Sequence, residues 1–457
     1  MKSLDVRIWG VRKRPTKKIS YDVRWSVAGE VFSETFRTKG LADHFRSRLL
    51  RAAKEGEEFD TETGLPASMS ATVISTSWYA FAQRYLAMKW PYAAPKSRDS
   101  MNESLTVVTM AMLDERSARP SDTAMRAALR NWAFVLPGPT DRELPVDIGN
   151  TLAWVSKASR PLSDLQDSAL MRSLLDALKL KLDGTPAAAE TVRRKRNVLV
   201  NALNYAVDLG EFKENPVAAV RWQRPKVAKE VDPRVVANPE QARSLLHAVS
   251  YVGGYKRAKG RRLVGFFACM YFGAFRPAEA IGLTEQDLKL PENGWGTAHL
   301  HRTRPQAGKK WTGTGKTHDD RGLKNRAAEE VRPVPIPPQL VLVLRDHLDT
   351  FGTTADGRLF FNERNGVLGS TAYNRVWHEA RALALPPALV TSPLAQRPYD
   401  LRHSALSTWL NAGVDATEVA QRAGNSVEVL LSRYAKCIAG REELANRRIE
   451  ELLREYE

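Results

Sequence analysis

Four side chains in the second half of this 457-residue chain have types and spacing that could do chemistry. Arg276 lies in YFGAFRPAEAIGL and Lys324 in GLKNRAAEEVRPVPIP; Arg402 and Tyr434 share PYDLRHSALSTWLNAGVDATEVAQRAGNSVEVLLSRYAKC. Arginine forks neutralise the non-bridging oxygens of a phosphodiester through paired N–H donors. A lysine can protonate a leaving oxygen, and a phenol can attack phosphorus and hold it covalently. This set could therefore cut a phosphodiester without a metal. After Arg402 the only other tyrosine is Tyr456, one residue from the end, which leaves Tyr434 nearly unopposed as nucleophile. No Walker motif, zinc cluster or carboxylate ladder competes, so neither a cofactor nor a metal is expected.

In this order and phrasing the set resembles the tyrosine recombinase (phage integrase) family, over about half the chain. The resemblance implies that Arg276, in RPAE, is the first phosphate clamp, with Glu279 orienting it from the second shell; a lone arginine there would more often make a structural salt bridge. It implies that Lys324 protonates the leaving 5′ oxygen from a hairpin. Lys309, Lys310, Lys316 and Arg326 compete for that role, or the group makes generic phosphate contacts. Arg402, in YDLRH, is the second clamp. Two positions depart from the family pattern. Tyr399 stands where most relatives carry histidine; three residues before Arg402 on a helix, it shares that face and can donate a hydrogen bond. With an ordinary phenol pKa of about 10 it is a poorer proton shuttle than imidazole. Asn425, in AGNSVEVLL, stands where histidine or tryptophan is usual; its amide can hold a phosphate oxygen but cannot exchange a proton. His403 directly follows Arg402, and the expectation is that it points elsewhere as a packing histidine.

The resemblance implies an enzyme, a site-specific DNA strand transferase that joins DNA 3′ phosphate to Tyr434, frees a 5′ hydroxyl and reverses the attack with a partner duplex. Integration or excision of a prophage or mobile element would be its purpose. Its partners would be double-stranded DNA at core and arm-type sites, a homotetramer on that DNA, and host or element-encoded architectural or directionality factors. The tail REELANRRIEELLREYE, with Leu444, Ile449, Leu452 and Leu453, would pack on a neighbour or within its own domain. Two other readings stay open: a type IB topoisomerase-like enzyme that relaxes DNA by the same chemistry, and a catalytically inactive DNA-binding regulator with the same fold.

The elements that must position these residues can be read from composition and pattern. The length points to roughly three domains. Lys and Arg number 69 against 52 Asp and Glu, a formal net charge of +17, which suits a polyanion. Residues 1–54 carry fourteen Lys and Arg against five Asp and Glu, so more than half the excess lies in the first eighth. There, DVRIWGV and YDVRWSVAG alternate, with Val23, Trp25 and Val27 on one face, and FSETFRT is a third strand. KRPTKK reads as a basic turn, GLADHFRSRLLRAAKEG as a helix and EGEEFDTETGLPAS as a linker.

This module, residues 1–65, resembles the arm-site-binding modules of phage integrases, with Arg12, Lys13, Arg14, Lys17 and Lys18 as DNA contacts; the alternative is a small sheet with a solvated basic face. Residues 72–225 read as helical, and the helix of AETVRRKRNVLVNALNYAVDLGEF followed by NPV resembles the end of the family's core-site-binding domain, which implies that role for 72–225; its Arg193, Arg194, Lys195 and Arg196 either contact phosphates or form a solvated face. The segment RPKVAKEVDPR reads as a linker, and 234–457 as a mixed, mostly helical catalytic domain. The expected fold class is mainly α with small β-sheets. Cys269 and Cys437 cannot make a disulfide framework, MKSLDVRIWGVRKR lacks a signal-peptide core, and no apolar run is long enough for a bilayer. The expectation is a cytoplasmic, nucleoid-associated protein with no membrane partner.

Overall fold

A computed structural model describes residues 2–14, 20–70, 76–137, 143–181, 184–228, 230–253, 258–324, 330–437 and 441–454. Lys17, Lys18, Arg326 and Tyr456 lie outside the described residues. The chain divides into two compact units: residues 1–91 with 101–223, and residues 92–100 with 224–457. The fold is mainly α with small sheets, as the patterning implies.

The first unit begins with strands β1 (Lys2–Ser3), β2 (Val6–Ile8), β3 (Arg12–Arg14), β4 (Ser20–Val27) and β5 (Glu30–Phe36), then helix α1 (Lys39–Lys54) and strand β6 (Phe59–Asp60). β2 and β3 both pair antiparallel with β4, at opposite ends, and β5 runs along its other edge. The sheet is thus three strands wide, with its first strand broken. Val23, Trp25 and Val27 are buried on one face, under Ala42, Leu49 and Ala52 of α1.

Two expectations are corrected here. Lys13 and Arg14, the first residues of KRPTKK, are not part of a turn: with Arg12 they form β3, Arg12, Lys13 and Arg14 in register with Asp22, Tyr21 and Ser20, and all three are exposed. The segment read as a linker after α1 belongs to the module. Phe59 is fully buried, β6 pairs with β1, and the Gly64 carbonyl accepts from the Trp25 indole.

The rest of this unit carries no strand among its described residues. Its helices are α2 (Ala67–Ser70), α3 (Trp78–Lys89), α4 (Pro95–Ala111, whose first turns belong to the second unit), α5 (Asp122–Ala128), α6 (Val146–Ala158), α7 (Ser168–Ala177) and α8 (Ala189–Asp208). Helix α8 buries Val198, Leu199, Ala202, Leu203 and Ala206, the face its spacing predicts. The same period carries inward from Val192 to Lys195, which is 2% exposed. Lys195 pairs with Glu103 at 3.6 Å and donates to the Leu180 carbonyl, so it is a buried cation and not part of the basic surface expected from RRKR. Arg193 and Arg194 are exposed, paired with Glu190 and Glu103, and Arg196 is half-buried.

The second unit comprises α9 (Pro239–Val249), α10 (Ala258–Arg261), α11 (Val264–Phe272), α12 (Pro277–Gly282), β7 (Leu288–Lys289), β8 (Gly296–Leu300), β9 (Arg302–Thr303), β10 (Arg321–Gly322), β11 (Arg332–Ile336), α13 (Pro338–Phe351), α14 (Ser370–Ala384), α15 (Pro387–Val390), α16 (Asp400–Asn411), α17 (Ala416–Ala423), α18 (Val427–Tyr434) and α19 (Arg441–Arg454). Asn238 and Gln241 form a reciprocal capping box with Pro239 at the first turn, the start the sequence predicts for α9. Helix α11 is apolar all round and nearly every side chain is buried, so it forms the axis on which α9, α13 and α16 pack. A β11–β8–β7 sheet and a β9–β10 ladder flank that core. A smaller core joins α16, α17 and α18 through Leu406, Val419, Leu430 and Tyr434.

The linker before α9 is fastened to this smaller core: Val231 N–H donates to the Arg433 carbonyl at 2.7 Å, and Glu230 pairs with Lys436. In α19, Ile449, Leu452 and Leu453 are exposed; the side chain of Leu444 lies outside the described residues. No helix among the described residues is long and apolar enough to cross a membrane, and no group of three or more His, Cys, Asp or Glu among them could hold a metal ion.

Candidate active site

Arg276 is placed by a break in the backbone. Helix α11 ends at Gly273, and Ala274 takes a left-handed conformation at φ 51°. Arg276 then stands just before α12, with Pro277 as its first residue. The Glu279 carboxylate reaches back to accept from the Arg276 backbone N–H at 2.8 Å and from its guanidinium at 2.7 Å. That carboxylate is 1% exposed. Its other partner is a residue to which the sequence reading gave no role: Arg332, 2% exposed at the start of β11, lies 3.0 Å from Glu279. Burial opposes ionisation of Glu279, but Arg332, Arg276 and Arg402 together hold its carboxyl below the usual range. The signal for Arg332 was available, because Arg332, Val334 and Ile336 alternate along β11 and the latter two are fully buried.

The loop between α17 and α18 ties Arg276 to Arg402. Helix α17 ends at Gly424, left-handed at φ 63° and ψ 45°. This turn aims carbonyls inward: Gly424 accepts from Arg276 at 2.8 Å and Ala423 from Arg402 at 2.7 Å. The second Arg402 branch donates to the carbonyl of the left-handed Ala274. Asn425 Oδ1 spans the pair, 3.0 Å from Arg276 and 3.4 Å from Arg402. The amide was expected to donate to a phosphate. Here its oxygen instead accepts from both arginines, the place an anionic oxygen would take.

Only glycine suits position 424. A Cβ there would run into the Arg332 guanidinium, and left-handed backbone costs a non-glycine residue about 1–2 kcal/mol. Gly424→Ala is therefore expected to destabilise the protein by at least that amount, read as a lowered urea midpoint at unchanged slope. An unchanged midpoint would mean that the loop tolerates a side chain against Arg332.

Tyr434 ends α18 and is 2% exposed, in the core with Leu406 and Leu430. Burial pushes its phenol well above the ordinary range, against the lowering field of Arg402. Its hydroxyl meets His403 Nδ1 at 2.7 Å. His403 therefore does not point away from the cluster, as expected for the residue after Arg402. It sits between Tyr399, edge-on at 5.1 Å, and Tyr434, at 5.7 Å. Burial, with Arg433, Arg402 and Arg397 nearby, lowers the imidazole pKa to about 4, so it is neutral at physiological pH. The four-residue spacing from Tyr399 to His403, one face of a helix, was a signal for this contact.

Tyr399 is half-buried and lines a cleft of about 610 Å³ with Arg276, Arg304, His318 and Lys96. Lys324 stands exposed, two residues beyond β10, and the structure does not bring it into the arginine cluster. Lys309, Lys310 and Lys316 lie in the long loop between β9 and β10.

The cluster holds three guanidiniums, Arg276, Arg332 and Arg402, against the one carboxylate of Glu279. Carbonyls at the C-terminal end of α17 offset part of the surplus. A surplus of buried positive charge is costly unless an anion completes it, so the arrangement is suited to an anionic oxygen beside a tyrosine.

No protein-family profile matches the chain, and no curated protein matches it. Among solved structures it is similar to the Tn1549 transposon integrase in complex with circular intermediate DNA, at 17% identity over 65% of this chain and 88% of that one, with a TM-score of 0.45. It is similar to the XerH site-specific recombinase bound to its palindromic difH substrate, at 13% identity over 81% and 96%, with a TM-score of 0.47. Lambda integrase residues 75–356 bound to DNA match at 12% identity over 65% and 91%, with a TM-score of 0.40.

Proposed function

We propose that this chain is a site-specific DNA recombinase that cuts and rejoins DNA through a 3′-phosphotyrosyl intermediate. The observation that carries this reading is the half-buried Arg276–Asn425–Arg402 bridge, positively charged in surplus, with the Tyr434 hydroxyl on the imidazole of His403, the residue after Arg402. In this reading the scissile phosphate displaces Asn425 from between the arginines, whose freed donors neutralise the charge growing on phosphorus. Losing one such donor typically costs about 2.7–4 kcal/mol of transition-state stabilisation. Glu279 orients Arg276, Tyr434 forms the bond to phosphorus, and Lys324 protonates the departing 5′ oxygen. The freed hydroxyl of a partner duplex then reverses the step.

Residues 234–457 supply the chemistry in this proposal. Residues 72–225 hold the core site, with Arg193, Arg194 and Arg196 as phosphate contacts, while residues 1–65 contact a separate arm-type site through exposed Arg12, Lys13 and Arg14. A homotetramer on two DNA sites, further architectural or directionality factors, and a place among nucleoid-associated cytoplasmic proteins complete the reading.

The test uses the full chain and a pool of labelled duplexes of random sequence, each nicked to trap the covalent product. The expected result is DNA retained through denaturing detergent and released by protease. Joining of the trapped strand to a second duplex separates a recombinase from a relaxing enzyme. If no duplex in the pool is captured although the protein binds DNA, the chain is an inactive regulator and the proposal fails.

A further inference from the structure

The sequence reading assigned an acid for the leaving oxygen but no acceptor for the proton that Tyr434 must lose. The phenol's hydrogen-bond partner is His403 Nδ1, at 2.7 Å. From the geometry we infer that His403 is a catalytic residue, the general base that takes the Tyr434 proton as the phenolic oxygen attacks phosphorus. This rests on the function proposed above.

The imidazole has the required form and place. It is 7% exposed, with Tyr399 packed edge-on against it at 5.1 Å. The charged and titratable groups around the pair are Arg397, Tyr399 and Arg402 from its own segment, with Arg433 and Cys437 beside Tyr434. Burial, helped by the arginines, keeps the imidazole neutral, and in the tautomer protonated at Nε2 the Nδ1 lone pair accepts from the phenol. The same arginines disfavour imidazolium in the empty site. A phosphate seated between Arg276 and Arg402 adds negative charge and relieves that opposition, so the base gains strength when substrate is in place.

The step balances. The bond from Tyr434 Oη to phosphorus forms and the phosphorus–O5′ bond breaks. The phenolic proton passes to His403 Nδ1, and the 5′ oxygen takes its proton from Lys324. On reversal the imidazolium returns its proton to the departing phenol. No oxidant, reductant or metal enters.

The probe is a nicked duplex captured by the unaltered protein from the random pool. His403→Asn keeps an acceptor oxygen near the Nδ1 position but cannot take a proton at neutral pH. The expected result is a loss of about 10²–10⁴-fold in the rate of adduct formation, with duplex binding retained. A merely structural role would not change the pH profile. The unaltered protein should be flat from pH 6 to 8.5, whereas His403→Asn should gain about tenfold per pH unit as hydroxide replaces the lost base.

A second measurement keeps histidine and replaces Tyr434 with fluorinated tyrosines of lower phenol pKa; the profile should stay flat. An Asn variant within threefold of the unaltered rate overturns the inference, as does a slow variant with a flat profile, or a fluorotyrosine profile that follows the phenol's own titration. Failure of the unaltered protein to capture any duplex overturns the proposed function, and this inference with it.

Discussion

Tyr434→Phe is expected to bind DNA as the unaltered chain does and to form no covalent adduct at all. The ring sits among Leu406, Leu430 and Val419, and phenylalanine keeps all of that apolar contact. What goes is the hydroxyl and its hydrogen bond to His403. Leaving that imidazole nitrogen unsatisfied in a buried site costs about 1–3 kcal/mol, a loss a folded domain of this size can absorb. The chemistry has no such margin. Without the phenolic oxygen there is no bond to phosphorus, so detergent-resistant labelled DNA should vanish while mobility-shifted complexes persist. Protease-sensitive retention of labelled DNA by the Phe variant would show that another side chain is the nucleophile.

Much of this architecture was legible because short-range rules and core packing agree. The start of α9 follows from Asn238 and Pro239, whose capping geometry is local, and the inward face of α8 follows from helical period. Where charge and period conflicted, period was the better guide. Lys195 reads as surface by type, yet its position three residues after Val192 places it in the core beside Glu103. Arg332 repeats the lesson on a strand, since its neighbours two and four residues on are fully buried.

The site was less legible because its geometry depends on two left-handed residues, Ala274 and Gly424, far apart in sequence. Their carbonyls aim at Arg402 and Arg276, and no local pattern reveals that convergence. The β6 segment was misread for a related reason. Its acidic, turn-rich composition suggests a linker, but Phe59 and the Gly64 carbonyl are fixed by contacts made with strands at the start of the chain.

The division of labour between Lys324 and Arg402 can be separated by one atom in the substrate. Arg402 is 1% exposed and fixed by the Ala423 carbonyl and Asn425, so its proposed work is charge stabilisation at phosphorus. Lys324 is exposed near the β9–β10 ladder and must swing to the leaving oxygen, so its proposed work is proton delivery. Lys324→Ala should slow cleavage of an ordinary phosphodiester by about 10²–10⁴-fold, the usual range for a positioned proton donor. Replacing the 5′ bridging oxygen with sulfur gives a leaving thiolate that needs no proton, and the Lys324→Ala rate should recover. Arg402→Ala should lose about 10²–10³-fold or more and should not recover, because the charge on the phosphoryl oxygens is as unstabilised with sulfur as with oxygen. Equal recovery of both variants would mean that the sulfur substrate bypasses the site altogether. No recovery for Lys324→Ala would move the acid to Lys316 or Lys310, in the loop between β9 and β10, and repeating the sulfur assay on those variants would identify it.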